Sequence, residues 1–235
     1  MTVEGGGEFQ VRATDALVAD PRECYSNRVW VASMEGYGYI EDGVFTELPN
    51  AATTLSAATD MAIAPDGSFC LVAGANGRVY RSSGDDADCV GGDFTNLVSL
   101  TQSGSSNNLD GNLPQSGVGR ARVDISSDEL DNGTYSAFAL YATSGGLFYG
   151  LYFSDAEGNL GGWDLVWPGE IQTATPLPRA QGIYDLALGI AKGQPDLAYV
   201  GGIELWRSGP NQQAEQAAVP LDLPFANVFV HADVH

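Results

Sequence analysis

The chain has 235 residues, 30 of them acidic against 10 basic, for a net charge of −20. That balance excludes the basic face that binding to nucleic acid or to an anionic membrane requires. No apolar run reaches the ~18–20 residues that cross a bilayer as a helix, and a hydrophobic share of 44% with 30 glycines describes a turn-rich globular chain with a sizeable core.

The opening residues, MTVEGGGEFQ, lack the basic and apolar regions of a signal peptide. They read as a mature start or as part of something larger. Residues 1–28 form a weakly patterned lead-in with one possible strand, Phe9–Ala13. Strand signals begin at Val29-Trp30-Val31-Ala32-Ser33 and continue through Gly38–Glu41 and Val44–Leu48. Asp42-Gly43 between the last two predicts a hairpin turn.

A second unit follows over residues 60–100. Asp60–Ala64 is a short apolar strand, Pro65-Asp66-Gly67 a turn, and Phe69–Ala73 the next strand. The proline presets φ and the glycine accepts a positive one. Asn76-Gly77 then leads into Arg78–Ser82, and an acidic loop over 83–92 leads into a fourth strand, Phe94–Leu100. Residues 101–119 are polar and aperiodic.

The third unit, residues 121–168, is the most regular. It opens with Ala121–Ile125 and turns at Asp131-Asn132-Gly133. Strands at Ala139–Thr143, Phe148–Phe153 and Trp163–Trp167 complete it. A fourth, residues 183–220, has Ile183–Leu188, Leu197–Val200 and Ile203–Ser208, with a poor outer strand. Phe225–Val230 opens a further unit in residues 225–235.

The units share features. Their third strands end Tyr80-Arg81-Ser82, Tyr152-Phe153-Ser154 and Trp206-Arg207-Ser208. A repeat of ~40–50 residues with four short strands is the signature of a β-propeller blade. The predicted class is therefore all-β, with about four recognisable blades. A four-stranded sheet cannot bury both faces alone; stacking on neighbours covers them. The aromatics Phe45, Phe94 and Trp163 are expected in the seams between blades.

At Tyr152–Gly158 and Gly162-Trp163 the chain resembles the Asp-box (BNR-type) β-propellers, the superfamily of sortilin-like and sialidase-like extracellular propellers. Their hairpin loop reads Ser-x-Asp-x-Gly-x-Thr-Trp. Ser154, Gly158 and Trp163 match in kind. Ala156 stands in the place of the Asp, Asp155 comes one place early, and the loop is two residues longer. The ending Phe229–His235 resembles a strand of secreted bacterial propellers of this kind. The resemblance implies a structural role for the loop and an extracellular or cell-surface location. It also implies that these residues are an incomplete part of a propeller of about six to eight blades, the rest lying elsewhere in a larger chain or assembly. A four-bladed ring would instead need Phe225–Val230 to pair beside Val29–Ser33.

Several residue groups are candidates for chemistry. Asp60, Asp124 and Asp185 lie in or beside first strands, where equivalent positions would ring a central channel. Glycosidases need two carboxylates at a fixed separation; the alternative is that these residues cap turns or pair with Arg120 and Arg122. His231, Asp233 and His235 alternate along a strand and so share a face, as channel-lining or metal-binding groups. Asp85, Asp86, Asp88 and Asp93 could hold calcium, or form a solvated turn. Asn132-Gly133-Thr134 is a glycosylation sequon, meaningful in a eukaryotic secretory pathway. Of Cys24, Cys70 and Cys89, the last two are placed to bridge in an oxidising compartment, or Cys70 is a buried free thiol. The reading that follows is a non-catalytic extracellular module that binds protein or glycan and does not insert in a membrane. The alternative is a glycoside hydrolase with its carboxylates on the inner strands.

Overall fold

A computed structural model describes residues 14–33, 36–48, 57–75, 77–84, 94, 97–100, 113–114, 116–168, 182, 186–202, 205–210 and 212–216. Among these residues sixteen strands make four antiparallel sheets of four strands each. Blade 1 holds β1 (Thr14–Ala19), β2 (Arg28–Ser33), β3 (Gly36–Glu41) and β4 (Val44–Glu47). Blade 2 holds β5 (Ala58–Ile63), β6 (Phe69–Gly74), β7 (Val79–Ser83) and β8 (Val98–Ser99). Blade 3 holds β9 (Val118–Glu129), β10 (Tyr135–Thr143), β11 (Phe148–Ser154) and β12 (Asp164–Pro168). Blade 4 holds β13 (Ala187–Ile190), β14 (Ala198–Gly201), β15 (Leu205–Gly209) and β16 (Gln212–Gln216). Strand order follows chain order in every sheet. The four sheets are those of an incomplete β-propeller.

The stacking can be read from side-chain alternation. All six residues of β6 are buried, because both faces of its sheet are covered. Phe69, Leu71 and Ala73 join a core shared with Ala121, Val123, Ala139, Tyr141 and Trp163 of blade 3. Cys70 and Val72 point the other way, toward Trp30, Ala32 and Tyr37 of blade 1. Blade 3 repeats the division: Ala137, Ala139 and Tyr141 face blade 2, while Phe138, Leu140 and Ala142 face Leu186, Ala198 and Val200 of blade 4. A period of two thus sends alternate side chains into different seams.

Blade 1 has its inner strand at Thr14–Ala19, within the stretch expected to be lead-in. Thr14 to Ala19 pair with Ser33 to Val29, and the other edge of β2 pairs with β3. Both edges of Val29–Ser33 are therefore occupied, one by β1 and the other by β3. Phe9–Ala13 and Phe225–Val230 lie outside the described residues.

The fourth strand of blade 2 is shorter than Phe94–Leu100. Among the described residues of that stretch, only Val98–Ser99 is strand. Phe94 has a φ of +49°, a left-handed conformation that extended backbone does not contain. Its ring is instead a fully buried plug, 5.4 Å from the Trp30 ring, and its carbonyl accepts from Tyr37 Oη at 2.8 Å. The Arg22 guanidinium stacks on both the Phe94 and Tyr25 rings, each 4.4 Å away. Arg22 also forks onto Asp20, with Nε to Oδ1 at 2.8 Å and Nη2 to Oδ2 at 2.6 Å, and Trp30 Nε1 donates to the same carboxylate at 2.9 Å. Burial alone would raise Asp20; the bonds from Arg22 and Trp30 outweigh it and hold the carboxyl below its ordinary value.

Asp42-Gly43 makes the hairpin turn that its sequence predicts, with φ of +50° and +80°. Two successive positive φ values match the right-handed twist of the flanking strands, and glycine carries the second without strain. Of the cysteines, Cys70 is a buried free thiol and Cys24 is disulfide-bonded, so the Cys70–Cys89 bridge does not form.

Candidate functional site

Among the described residues, the first strand of each sheet has one edge paired within the sheet and the other without a strand partner. Backbone groups on such an edge need other partners. In blades 2 to 4, charged side chains supply them. Val123 N–H on β9 donates to Asp60 Oδ2 at 2.9 Å, and Ile190 N–H on β13 donates to Asp124 Oδ2 at 2.9 Å. Asp124 Oδ1 accepts from Ile125 N–H at 2.9 Å. Arg122, between them on β9, donates Nη1 to Thr59 O at 2.7 Å and Nε to Leu186 O at 2.9 Å. The same Nη1 lies 3.5 Å from Asp60 Oδ1. One arginine therefore touches blades 2 and 4 from blade 3.

The electrostatics follow from burial. Desolvation pushes Asp60 above its ordinary value, with the Arg122 charge acting against it. Asp124 is pushed up to about 6 by desolvation, opposed by its two backbone donors and aided by the like charge of Asp60. Its strand mate Arg122 pairs with Asp60 instead.

The structure thus brings Asp60 and Asp124 onto neighbouring strands. They are not at equivalent blade positions. The serines that end the third strands give a common mark: Ser82 faces Cys70, Ser154 faces Ala137 and Ser208 faces Ala198. Those residues face Ile63, Ile125 and Ile190 on the inner strands. Counting back from the isoleucines, the counterpart of Asp60 is Arg122, and Asp124 lies two residues farther along. The offset shows only once the strand pairing aligns Ile63 with Ile125, which puts Asp60 three residues and Asp124 one residue before that mark. Asp185, the acidic set Asp85, Asp86, Asp88 and Asp93, and the set His231, Asp233 and His235 all lie outside the described residues. Among the described residues no group of three or more His, Cys, Asp or Glu is placed to hold a metal ion.

The loop between β11 and β12 is pinned by a hydroxyl. Ser154 Oγ, fully buried, accepts from Ala156 N–H at 3.2 Å and Gly158 N–H at 3.1 Å. Trp163 Nε1 donates to Gly158 O at 3.3 Å. Glu157 and Gly158 take φ of +55° and +66°, so the chain reverses there in a left-handed pair. The Asp155 carboxylate is exposed, and only its carbonyl is used, accepting from Thr134 Oγ1 at 2.8 Å and Asn132 Nδ2 at 3.4 Å. Beside this loop, a cleft of about 400 Å³ at the seam of blades 2 and 3 is lined by Arg81, Ser83, Val98, Asn159 and Leu160. Arg81 is fixed by Nε to Glu157 O at 2.8 Å, while Val98 and Leu160 are 61% and 46% exposed. Sequence reading gave no sign of this cleft, since its walls come from segments some sixty residues apart.

No family model matches the chain, and no curated protein matches it. Solved structures do. A GH74 xyloglucanase from Xanthomonas campestris superposes with a TM-score of 0.50 at 17% identity, over 91% of this chain and 32% of that one. An ancestral GH74 enzyme superposes with a TM-score of 0.50 at 13% identity, over 83% of this chain and 25% of that one. A nidogen/laminin complex gives 0.48 at 12% identity, over 84% of this chain and 62% of that one. The chain spans less than two thirds of each of these structures. At such identities the likeness concerns the fold alone, and with the four stacked sheets it makes this chain a run of β-propeller blades.

Proposed function

We propose that the chain is the blade region of a non-catalytic, extracellular β-propeller that binds a protein or glycan partner. The observation that supports this reading is the use made of Asp60 and Asp124. Both oxygens of Asp124 accept backbone N–H groups, and Asp60 divides its oxygens between Val123 N–H and Arg122. Carboxylates spent on blade seams are not free to activate water or protonate a leaving group. The acidity of the chain, its single lysine (Lys192) and the resemblance to Asp-box propellers support the location. The cleft at the seam of blades 2 and 3 offers the exposed side chains of Val98 and Leu160 beside Asn159, a combination suited to a polar partner with apolar patches.

A second reading has its own support. Two solved structures that superpose at a TM-score of 0.50 are GH74 enzymes, one of them a xyloglucanase. Asp124, pushed up to about 6, lies in the range of a general acid. Two measurements on the 235-residue chain separate the readings: binding on a glycan array, and release of reducing ends from xyloglucan. Binding without turnover supports the module. Turnover that disappears in Asp124→Asn, with the variant still folded, overturns it in favour of the hydrolase.

A further inference from the structure

The pattern Asn-x-Ser/Thr occurs once in the 235 residues, at Asn132-Gly133-Thr134, and its middle residue is not proline. The structure sets it at the tip of the hairpin that joins β9 to β10. Leu130 N–H donates to Thr134 O at 2.8 Å and Gly133 N–H donates to Leu130 O at 2.9 Å, which closes the turn. Asp131, Asn132 and Gly133 are all exposed. A Cβ built on Gly133, whose φ is +77°, meets nothing within 4 Å, so the space over the tip is open.

The three residues also order one another. Asn132 Oδ1 accepts from Thr134 N–H at 3.0 Å and lies 2.7 Å from Thr134 Oγ1. A turn closed on the asparagine oxygen fixes the plane of the amide. Asn132 Nδ2 reaches Asp155 O at 3.4 Å, a weak bond that uses one of its two hydrogens. Among the described residues nothing takes the other. Donors on Oδ1 draw charge onto that oxygen and make an Nδ2 proton easier to lose.

We propose that Asn132 is a modification site that carries an N-linked oligosaccharide, received from a lipid pyrophosphate carrier along a secretory route. The proposal rests on the extracellular reading above. In the transfer, Nδ2 forms a bond to the anomeric carbon of the sugar, and the bond from that carbon to the pyrophosphate oxygen breaks. The lipid pyrophosphate leaves with the electron pair, and the displaced Nδ2 proton passes to a base of the transferring enzyme. The folded chain accommodates the product. The sugar replaces one Nδ2 hydrogen and leaves the other for Asp155 O. Asn132 and Thr134 both touch that carbonyl, at the start of the loop that supplies Asn159 and Leu160 to the cleft. A bulky, hydrated group here keeps the tip of blade 3 in water and out of any protein interface.

The test is expression of the 235-residue chain behind a secretory signal peptide in a eukaryotic host, with the translocated chain recovered from both the medium and the microsomal lumen. The readouts are intact mass and a peptide map after release by peptide:N-glycosidase F in heavy-oxygen water, which turns a glycosylated asparagine into a labelled aspartate. The expected result is one oligosaccharide on the wild type, with the label at position 132. It should be lost completely in Asn132→Gln and in Thr134→Ala, return in Thr134→Ser, and persist in Asn27→Gln, an exposed asparagine followed two residues on by Val29. A translocated wild type without sugar, or a label at another asparagine, overturns the proposal. The map is read on the wild type, so a variant that fails to fold does not leave the question open. The added signal peptide imposes the route, so an unmodified chain counts against Asn132 alone, whereas retention of the native chain inside its own cells counts against the location.

Discussion

Replacing Ser154 by alanine tests whether a single hydroxyl holds the longest ordered hairpin loop of blade 3. The variant loses the acceptor of Ala156 N–H and Gly158 N–H. Gly158 is buried, so its N–H finds no water in exchange; Ala156 is partly exposed and does. One buried donor left unmet costs roughly 1–3 kcal/mol, and the second adds a few tenths at most. The loop does not come away entirely, because Trp163 still donates to Gly158 O and Arg81 to Glu157 O. The net expectation is a loss of about 1–3 kcal/mol. Asp155→Ala is the paired variant: its carboxylate is exposed and its carbonyl, the only group used, survives, so the change stays within about 0.5 kcal/mol. Urea unfolding followed by tryptophan fluorescence measures both. A Ser154→Ala cost below about 0.5 kcal/mol, or an Asp155→Ala cost above that of Ser154→Ala, refutes the reasoning.

Other consequences are as direct. Arg22→Met keeps the stem between Tyr25 and Phe94 but leaves the buried Asp20 without its fork, so about 3–5 kcal/mol should be lost, measured by denaturant unfolding at neutral pH. Because Asp20 is held below its ordinary value, the stability it contributes is present above 3.8 and fades as pH falls through its lowered folded value; Arg22→Met should abolish that part of the acid dependence. Burial pushes the Cys70 thiol up to about 12, so iodoacetamide at pH 8 should leave it unmodified in the folded chain and alkylate it in urea, as intact mass would show. Gly84→Ala would place a Cβ 1.7 Å from the Gly67 carbonyl oxygen, and a melting-temperature drop should accompany it, while Gly133→Ala, with open space around it, tests only the positive φ.

The blade architecture was legible from sequence because its signals are local. Alternation places apolar side chains on both faces of β6 and β10, and Asp42-Gly43 specifies a turn through the φ values that those two residues accept. The third-strand ends Tyr80-Arg81-Ser82, Tyr152-Phe153-Ser154 and Trp206-Arg207-Ser208 were also visible, and they fall in one register across blades 2, 3 and 4. Phe94 reads as strand in the sequence because an aromatic beside apolar residues carries no mark of a left-handed φ. Thr14–Ala19 carries little strand signal of its own, because a short inner strand is chosen by the β2 edge it covers more than by its composition. The carboxylates were recognisable as inner-strand residues, yet their roles were not. Whether a carboxylate is a catalyst or a clasp depends on which backbone amide lies 2.9 Å away, and for Asp60 and Asp124 that amide belongs to another blade more than sixty residues along the chain. Spacing along one strand encodes which face a side chain occupies; only the stacking of blades decides what that face meets.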